Sequence, residues 1–155
     1  MKSSIKYFIV VMLIVFGSCS KVNESINCST VYIPPTLNFQ VINKSTNADY
    51  FFSSSPLLYS VSDLKVFFKN ASNRTDSITP PVKNNDTQKY FAFTAPAAKQ
   101  IDTCFIKIKN FPTDTVIFTV KNTEDSCPQL YIKTVKINKS TAITTTPQMI
   151  IQIKK

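Results

Sequence analysis

The chain has 155 residues, and its 18 basic against 9 acidic side chains give a formal net charge of +9. It contains no histidine, which excludes Ser-His-Asp and Cys-His catalytic units and metal sites built on imidazole. A single glycine argues against the phosphate-binding loops of P-loop and Rossmann-type proteins, and we expect no cofactor and no metal.

The N-terminal segment has the layout of an export signal. Lys2 and Lys6 form a basic start, and residues 7–16 are an uninterrupted apolar run. This run has the length of the hydrophobic part of a signal peptide and about half of the roughly 20 residues that a spanning helix needs. A Gly-Ser pair separates the run from Cys19.

This Gly-Ser-Cys segment resembles the lipobox of bacterial lipoproteins, although Phe16 stands where leucine is more usual. The resemblance implies that residues 1–18 are a signal peptide and that Cys19 is lipidated. An ordinary secretory signal and a retained transmembrane anchor are the alternatives. Two or three acyl chains hold a protein firmly on a membrane, since each buried CH₂ contributes about 0.8 kcal/mol. Residues 19–30 are then a polar tether, and residues 31–155 have the size of one domain.

Removal of the signal peptide changes the charge and the composition. It removes two lysines and Gly17, and leaves 16 basic against 9 acidic side chains. This excess favours anionic partners such as lipid headgroups, acidic glycans or nucleic acid. The lysines alternate with apolar residues, however, and Arg74 is the only arginine, whereas arginine is the preferred reader of phosphates and bases. We therefore expect a solvated sheet face and no nucleic-acid partner.

Apolar residues recur at every second position in much of the remaining chain, which is the period of a β-strand. Val, Ile, Phe, Tyr and Thr dominate these segments, as they do in half-buried strands. Residues 57–61 show the pattern weakly. Seven segments show it clearly: 37–42, 63–69, 89–94, 102–109, 115–121, 130–137 and 147–154. Seven or eight short strands predict an all-β fold, an antiparallel β-sandwich of immunoglobulin-like type.

The segments between the predicted strands are polar. NFPTD (110–114) and NKST (138–141) are predicted to be tight connections. Residues 70–88 form the longest polar stretch and contain the pair Pro80-Pro81, so we expect an exposed loop there. Turns in a domain without glycine must use Asn, Asp, Ser and Pro.

Three cysteines remain after lipidation, and an exported protein meets an oxidising compartment. Cys104 shares the apolar face of its predicted strand with Ile106 and Ile108, so we expect it in the core. Cys28 and Cys127 lie in polar stretches, which favours a disulfide between them; a bridge between Cys104 and Cys127, or no bridge, are the alternatives. No histidine exists to activate a thiol, and we expect no catalytic cysteine.

Aromatic side chains are the candidates for contact with a sugar or another small ligand. Tryptophan, which sugar sites prefer, is absent, and most of the 12 phenylalanines of a small sandwich belong in its core. The candidate ligand residues are Phe51, Phe52, Tyr59, Phe67 and Tyr131.

Two other polar features are candidates for ligand binding or modification. The adjacent acids Glu124 and Asp125 and the stretch NNDT (84–87) could supply carboxylates or calcium ligands, but such residues are typical of turns. The triplet DSI (76–78) resembles the O-glycosylation acceptor of Bacteroidota, which makes Ser77 a candidate for modification.

Several longer segments resemble small lipoproteins of Bacteroidota, and together they cover most of the chain. They are the lipobox GSC and the residues 34–52, 60–69 and 113–138. The resemblance implies the fold and an envelope location and supplies no catalytic or binding residue. Surface lipoproteins of that phylum often carry acidic residues directly after the lipidated cysteine, whereas residues 20–24 hold only Glu24. The periplasmic face of the outer membrane is therefore expected.

These features predict a lipid-anchored, non-enzymatic envelope protein. The first hypothesis is that it binds or organises another envelope component, a protein. The second is a binding module for a glycan or another small ligand. A hydrolase that uses serine with lysine, or paired carboxylates, ranks third.

Overall fold

The computed structural model describes residues 28, 33–53, 58–95 and 100–155. Cys19, the predicted signal peptide and all of the predicted tether except Cys28 lie outside the described residues. Within them the chain forms ten strands and one single-turn 3₁₀ helix, Val61–Asp63. The strands are β1 (Thr36–Ile42), β2 (Leu64–Lys69), β3 (Thr75–Ile78), β4 (Val82–Asn84), β5 (Lys89–Thr94), β6 (Ile101–Ile108), β7 (Asp114–Asn122), β8 (Leu130–Ile137), β9 (Ile143–Thr144) and β10 (Ile150–Lys154).

The strands form the two sheets of a β-sandwich. One sheet has the order β10-β1-β5-β4, and the other has the order β3-β2-β6-β7-β8-β9. All neighbouring strands are antiparallel except β1 and β10, which are parallel. Strands β1 to β7 follow the immunoglobulin-like order, because β4-β5-β1 and β3-β2-β6-β7 correspond to D-E-B and C′-C-F-G. The predicted sandwich is confirmed, with ten strands rather than seven or eight.

Alternation of side chains between core and solvent explains why these segments are strands. In β2, Leu64, Val66 and Phe68 are buried, whereas Lys65 and Lys69 are exposed. Both sheets contribute to one apolar core, and each fully buried large side chain stabilises the fold by about 1.5–3 kcal/mol. Its largest fully buried members are Phe39, Phe51, Phe91, Phe93 and Phe118.

The seven clear alternating segments all contain strands, but the prediction of a strand at 57–61 is wrong. The described residues of that segment, 58–61, are bends and the start of the 3₁₀ helix. Ser60 caps this helix: its Oγ accepts from Ser62 N at 3.3 Å, and its own N–H donates to Asp63 Oδ2 at 3.0 Å. Such a reciprocal capping box favours a helical turn over an extended chain.

The predicted loop at 70–88 is also wrong, because it contains β3 and β4. Both are edge strands that pair on one side only, β3 with β2 and β4 with β5. Their side chains are almost all exposed, so no hydrophobic alternation marks them in the sequence. The two-residue edge strand β9 was missed for the same reason. Pro80 and Pro81 lie in the link between β3 and β4.

Asparagine takes the backbone positions that glycine usually occupies. The residues with positive φ are Asn47 (57°), Asn73 (59°), Asn138 (52°) and Gln148 (69°). Asparagine tolerates this region better than most residues because its short side chain bonds to nearby backbone groups. The expectation that turns use Asn in a glycine-free domain is confirmed at three of these four sites.

A buried ion pair joins the start of β7 in one sheet to the residue after β10 in the other. Lys155 Nζ lies 2.5 Å from Asp114 Oδ2, and the two side chains are 6% and 8% exposed. Asn138 Nδ2 donates to the other oxygen of Asp114 at 2.8 Å, and Lys155 Nζ also donates to Pro112 O at 2.8 Å. This network connects the two sheets at one end of the sandwich.

The cysteines divide into one disulfide and one buried thiol. Cys28 is bonded to Cys127, with a Cα–Cα distance of 5.3 Å and a sequence separation of 99. This is the pairing that the sequence favoured. Cys104 is a free thiol with no exposed surface, in the core as predicted. Burial, and secondarily the charge of Asp102, raises its pKa to about 12, so the thiol stays protonated and unreactive.

Candidate functional sites

The outer face of the six-stranded sheet carries an exposed apolar stripe. Phe67 of β2 lies opposite Phe105 of β6 in the ladder, so both rings share one face of the sheet. Ile117 of β7 continues the stripe, because it pairs with Thr103, which lies two residues before Phe105 on the same face of β6. Phe105 and Ile117 are 38% and 36% exposed, and Phe67 is half-buried. Large apolar side chains in the middle of a solvent-facing sheet are typical of an interaction surface.

Lysines surround this stripe without acidic partners. The lysines at outward-facing ladder positions are Lys65, Lys69, Lys107, Lys121 and Lys136. The ion pair of Lys155 is the only one among the described residues, so none of these five ammonium groups has a carboxylate within 4.0 Å. No carboxylate occupies an outward-facing ladder position of β2, β3, β6, β7 or β8. We call these five lysines with Phe67, Phe105 and Ile117 the Phe-Lys face.

Two of the lysines stand directly opposite each other. Lys65 pairs with Lys107 across β2 and β6, an arrangement of like charges that destabilises a sheet. Each ammonium turns to a neutral acceptor instead: Lys65 Nζ donates to Thr79 Oγ1 at 2.6 Å, and Lys107 Nζ donates to Phe111 O at 2.8 Å. The fold thus holds uncompensated positive charge beside the partly exposed pair Phe67 and Phe105.

A polar cleft lies on the four-stranded side of the sandwich. It has a volume of about 540 Å³ and lies between β1, the segment 49–53 and the β4–β5 hairpin. Phe52 is its only apolar lining residue among those described. The other residues that matter to its chemistry are Gln40, Asp49, Asp86 and Lys89.

Asp49 is the most buried acid of the cleft, at 8% exposure. Its Oδ1 accepts from the backbone N–H groups of Phe51 at 2.7 Å and Phe52 at 2.9 Å, which fixes the turn that follows. Its Oδ2 is buried and has no hydrogen-bond partner within the described residues. Burial raises the pKa of Asp49 above its ordinary value of 3.8, against the lowering effect of the two N–H groups.

Gln40 and Phe52 border the same space. Gln40 is 8% exposed, and its Nε2 donates to Lys89 O at 2.8 Å, which ties β1 to β5 beside the cleft. Phe52 is half-buried, with its ring 5.1 Å from that of Phe91 and 6.2 Å from that of Phe51. Core rings therefore hold Phe52 in place at the cleft wall.

A second concavity is a mainly apolar groove between the sheets, with lining residues from β1, β8 and β10. It has a volume of about 170 Å³, and Ile33, Leu130, Tyr131 and Met149 line it. Ile33 is 50% exposed and Met149 is 41% exposed. Ligand sites usually have volumes of about 300–1,000 Å³, so this groove is too small to hold a ligand without opening.

The structure brings Phe51, Phe52 and Tyr59 together at the edge of the core and places Phe67 and Tyr131 elsewhere. Phe51 is buried, and its ring lies 5.0 Å from Phe91 in an edge-on contact. Tyr59 packs on Tyr50, Phe51 and Phe111 at the edge of the core. Phe52 lines the polar cleft, Phe67 lies on the Phe-Lys face and Tyr131 borders the apolar groove. They form no common platform.

The remaining sequence candidates fall on the surface. Ser77 is exposed on β3, opposite Phe67 in the ladder. Glu124 and Asp125 are exposed in the β7–β8 connection. Asn85 Oδ1 accepts from Thr87 N and Gln88 N at 3.1 and 2.8 Å, so turn formation accounts for the side-chain oxygen of Asn85.

Sequence reasoning missed the two features that organise the candidate sites. Phe105 shares a face of β6 with Lys107 rather than with Cys104, so the period of β6 predicts its solvent-facing position. Asp49 carries no such signal, because the hairpin residues 84–89 that line the cleft with it lie far along the chain.

Comparisons with known proteins add no functional assignment. No protein-family model, curated protein or solved structure matches the chain. The described ranges hold no cluster of three or more metal-ligating side chains. They also hold no helix that is long and apolar enough to cross a membrane.

Proposed function

We propose that the protein is a lipid-anchored, non-enzymatic component of the cell envelope that binds an acidic protein partner through the Phe-Lys face. Cys19 carries the acyl anchor, and the domain sits at the periplasmic face of the outer membrane. The observation that carries the proposal is the exposed Phe67–Phe105–Ile117 stripe enclosed by unpaired lysines.

The two components of this face have different roles. The apolar stripe provides the buried centre that a stable interface needs, with two phenylalanines as anchors. The lysines steer an anionic partner toward the face and fix its orientation, since rim charges act mainly on association rate and specificity. An acidic protein surface satisfies both parts.

A protein partner explains the face better than the other anionic partners do. A nucleic-acid site favours arginine, and Arg74 is not part of the stripe. A lipid anchor already supplies membrane attachment, which leaves the face free for another component. The tether permits this: residues 19–30 extend at most about 3.5 Å each, so the domain remains within a few nanometres of the bilayer.

Site-specific photo-cross-linking in intact cells tests the proposal. A benzoylphenylalanine in place of Thr103 or of Lys136 samples the Phe-Lys face, and one in place of Gln152 samples exposed β10 of the other sheet. We expect the first two positions to yield the same protein adduct, with an acidic cross-linked partner, and Gln152 to yield none. Equal adducts at all three positions, or none at the first two, contradict the proposal.

The anchor has a separate test. Cys19→Ser should leave uncleaved precursor and abolish incorporation of labelled palmitate, because no other residue carries the lipobox sulfur. Palmitate labelling that persists in this variant contradicts lipidation at Cys19.

A further inference from the structure

We propose that the polar cleft is a binding site for a neutral saccharide, with Asp49 and Phe52 as its principal contacts. The cleft is formed by β1, residues 49–53 and the β4–β5 hairpin, whereas the Phe-Lys face belongs to the other sheet. The proposal therefore stands independently of the partner-binding function.

The size of the cleft suits a sugar. Small-molecule sites have volumes of about 300–1,000 Å³, and the cleft, at about 540 Å³, lies inside this range. All of its described lining residues except Phe52 have polar side chains, and a lipid or another apolar ligand would leave these without hydrogen-bond partners.

Two side-chain oxygens of the cleft have no hydrogen-bond partner within the described residues. Asp49 Oδ2 is buried and unpaired within the described residues, and the oxygen of Gln40 accepts no hydrogen bond there either. An unpaired buried acceptor costs free energy that a ligand donor recovers. Sugar hydroxyls both donate and accept, so a ring with adjacent hydroxyls satisfies these oxygens and the exposed Lys89 together.

Phe52 provides the apolar contact that a sugar ring needs. Its ring packs on Phe91 and Phe51 on the core side, and the remainder of its surface lines the cleft. The C–H groups on one face of a pyranose pack on such a ring, while its hydroxyls point to the polar wall. Because neighbouring rings hold Phe52, little side-chain entropy is lost on binding.

The charges favour a neutral ligand over an ionic one. Asp49 and Asp86 disfavour phosphates and uronic acids, and Lys89 disfavours amines. The raised pKa of the Asp49 carboxyl further reduces the negative charge of the cleft.

Saturation-transfer difference NMR on the full chain tests the site. The protein is held in lauryldimethylamine oxide, because detergents with sugar headgroups would compete. The probes are the methyl glycosides of glucose, galactose, mannose and N-acetylglucosamine at up to about 20 mM, which detects a Kd near 1 mM. Methyl glucuronide serves as the anionic comparison.

We expect at least one neutral glycoside to receive saturation, strongest at its ring C–H protons. Asp49→Asn and Phe52→Leu should each weaken its affinity by about tenfold or more, as expected for loss of a buried hydrogen-bond acceptor or an aromatic contact. Asp86→Asn, at an exposed hairpin position where folding is not at risk, should weaken it measurably too. Asp76→Asn, exposed on β3, is the matched control, and its affinity for the glycoside should stay within about twofold of the parent value.

Three results would overturn the proposal. They are an absence of saturation transfer to every neutral probe, transfer that is undiminished in Asp49→Asn or in Phe52→Leu, or tighter binding of methyl glucuronide than of the neutral glycosides. Phe105→Ala, on the Phe-Lys face, should leave sugar binding unchanged, so that failure of this proposal is separate from failure of the partner proposal.

Discussion

Replacement of Asp114 by alanine removes the acidic half of the ion pair that joins the two sheets. Lys155 Nζ and Asn138 Nδ2 both lose their carboxylate, and the lysine side chain is only 6% exposed. The remaining acceptor for the ammonium is Pro112 O at 2.8 Å, a single neutral carbonyl. The variant therefore leaves a buried positive charge with one hydrogen-bond acceptor and the Phe111 ring, 5.6 Å from Nζ to the ring centroid.

The expected loss of unfolding free energy is about 3–5 kcal/mol, the range for removal of one member of a buried pair. The lost Asn138 hydrogen bond is part of this loss, at about 1 kcal/mol. For a domain of this size, the Tm should fall by roughly 10–20 °C. Asp114→Leu combined with Lys155→Met removes both charges and should be close to neutral, because the desolvation of the ions is no longer required.

Urea denaturation of the oxidised protein, followed by far-UV circular dichroism, measures these differences. Asp76→Ala, exposed on β3, is the control and should change the free energy by no more than about 0.5 kcal/mol. A loss below about 1 kcal/mol for Asp114→Ala, or a double variant that is less stable than Asp114→Ala, would refute the reasoning.

Four further outcomes are expected. Because folding raises the pKa of Asp49, its protonation stabilises the fold when the pH is below 3.8, its pKa in the unfolded chain. This contribution to stability is lost as the pH rises through the higher pKa of the folded state. The unfolding free energy of Asp49→Asn, measured by denaturation between pH 3 and pH 7, should accordingly exceed that of the parent by an amount that grows with pH. A difference in unfolding free energy that is independent of pH would contradict the raised pKa. Cys104, fully buried and with a pKa of about 12, should react with iodoacetamide only in denaturant, as mass spectrometry can show, and rapid native labelling would place it outside the core. Reduction of the Cys28–Cys127 disulfide should lower the unfolding free energy by at most about 4.7 kcal/mol, the chain-entropy value for a closed loop of about 100 residues. An unchanged urea midpoint after reduction would contradict a stabilising role for this disulfide. The labelling test of Cys19 is the fourth.

Alternation made the long strands predictable, and its absence hid the edge strands. In β6, Cys104 and Ile106 are buried and alternate with the less buried Phe105 and Lys107, so period and burial agree over these four residues. Strand β3, with the sequence TDSI, has three exposed side chains, and only Ile78 packs against the core, so no apolar period marks it in the sequence.

The candidate sites were only partly predictable for a related reason. Phe52 and Phe67 were recognised as aromatic residues, but which of them faces solvent depends on tertiary packing. The Phe-Lys face arises from the register of β2 and β6, which places Phe67 opposite Phe105 and Lys65 opposite Lys107. The cleft brings Asp49 and Lys89 together from segments about 40 residues apart, as the Gln40–Lys89 bond reflects. No local pattern encodes either juxtaposition.

Charge reversal on the Phe-Lys face is the most direct test of the proposed function. Lys65→Glu with Lys136→Glu reverses two charges of this face, and Lys83→Glu with Lys154→Glu reverses two exposed charges of the other sheet. Both pairs change the net charge equally, so general electrostatics cancel in the comparison. We predict that the first pair abolishes the protein adduct formed through benzoylphenylalanine at position 103 and that the second pair leaves its yield within about twofold. Equal loss in both pairs, or an adduct unaffected by the first, would contradict partner binding at this face.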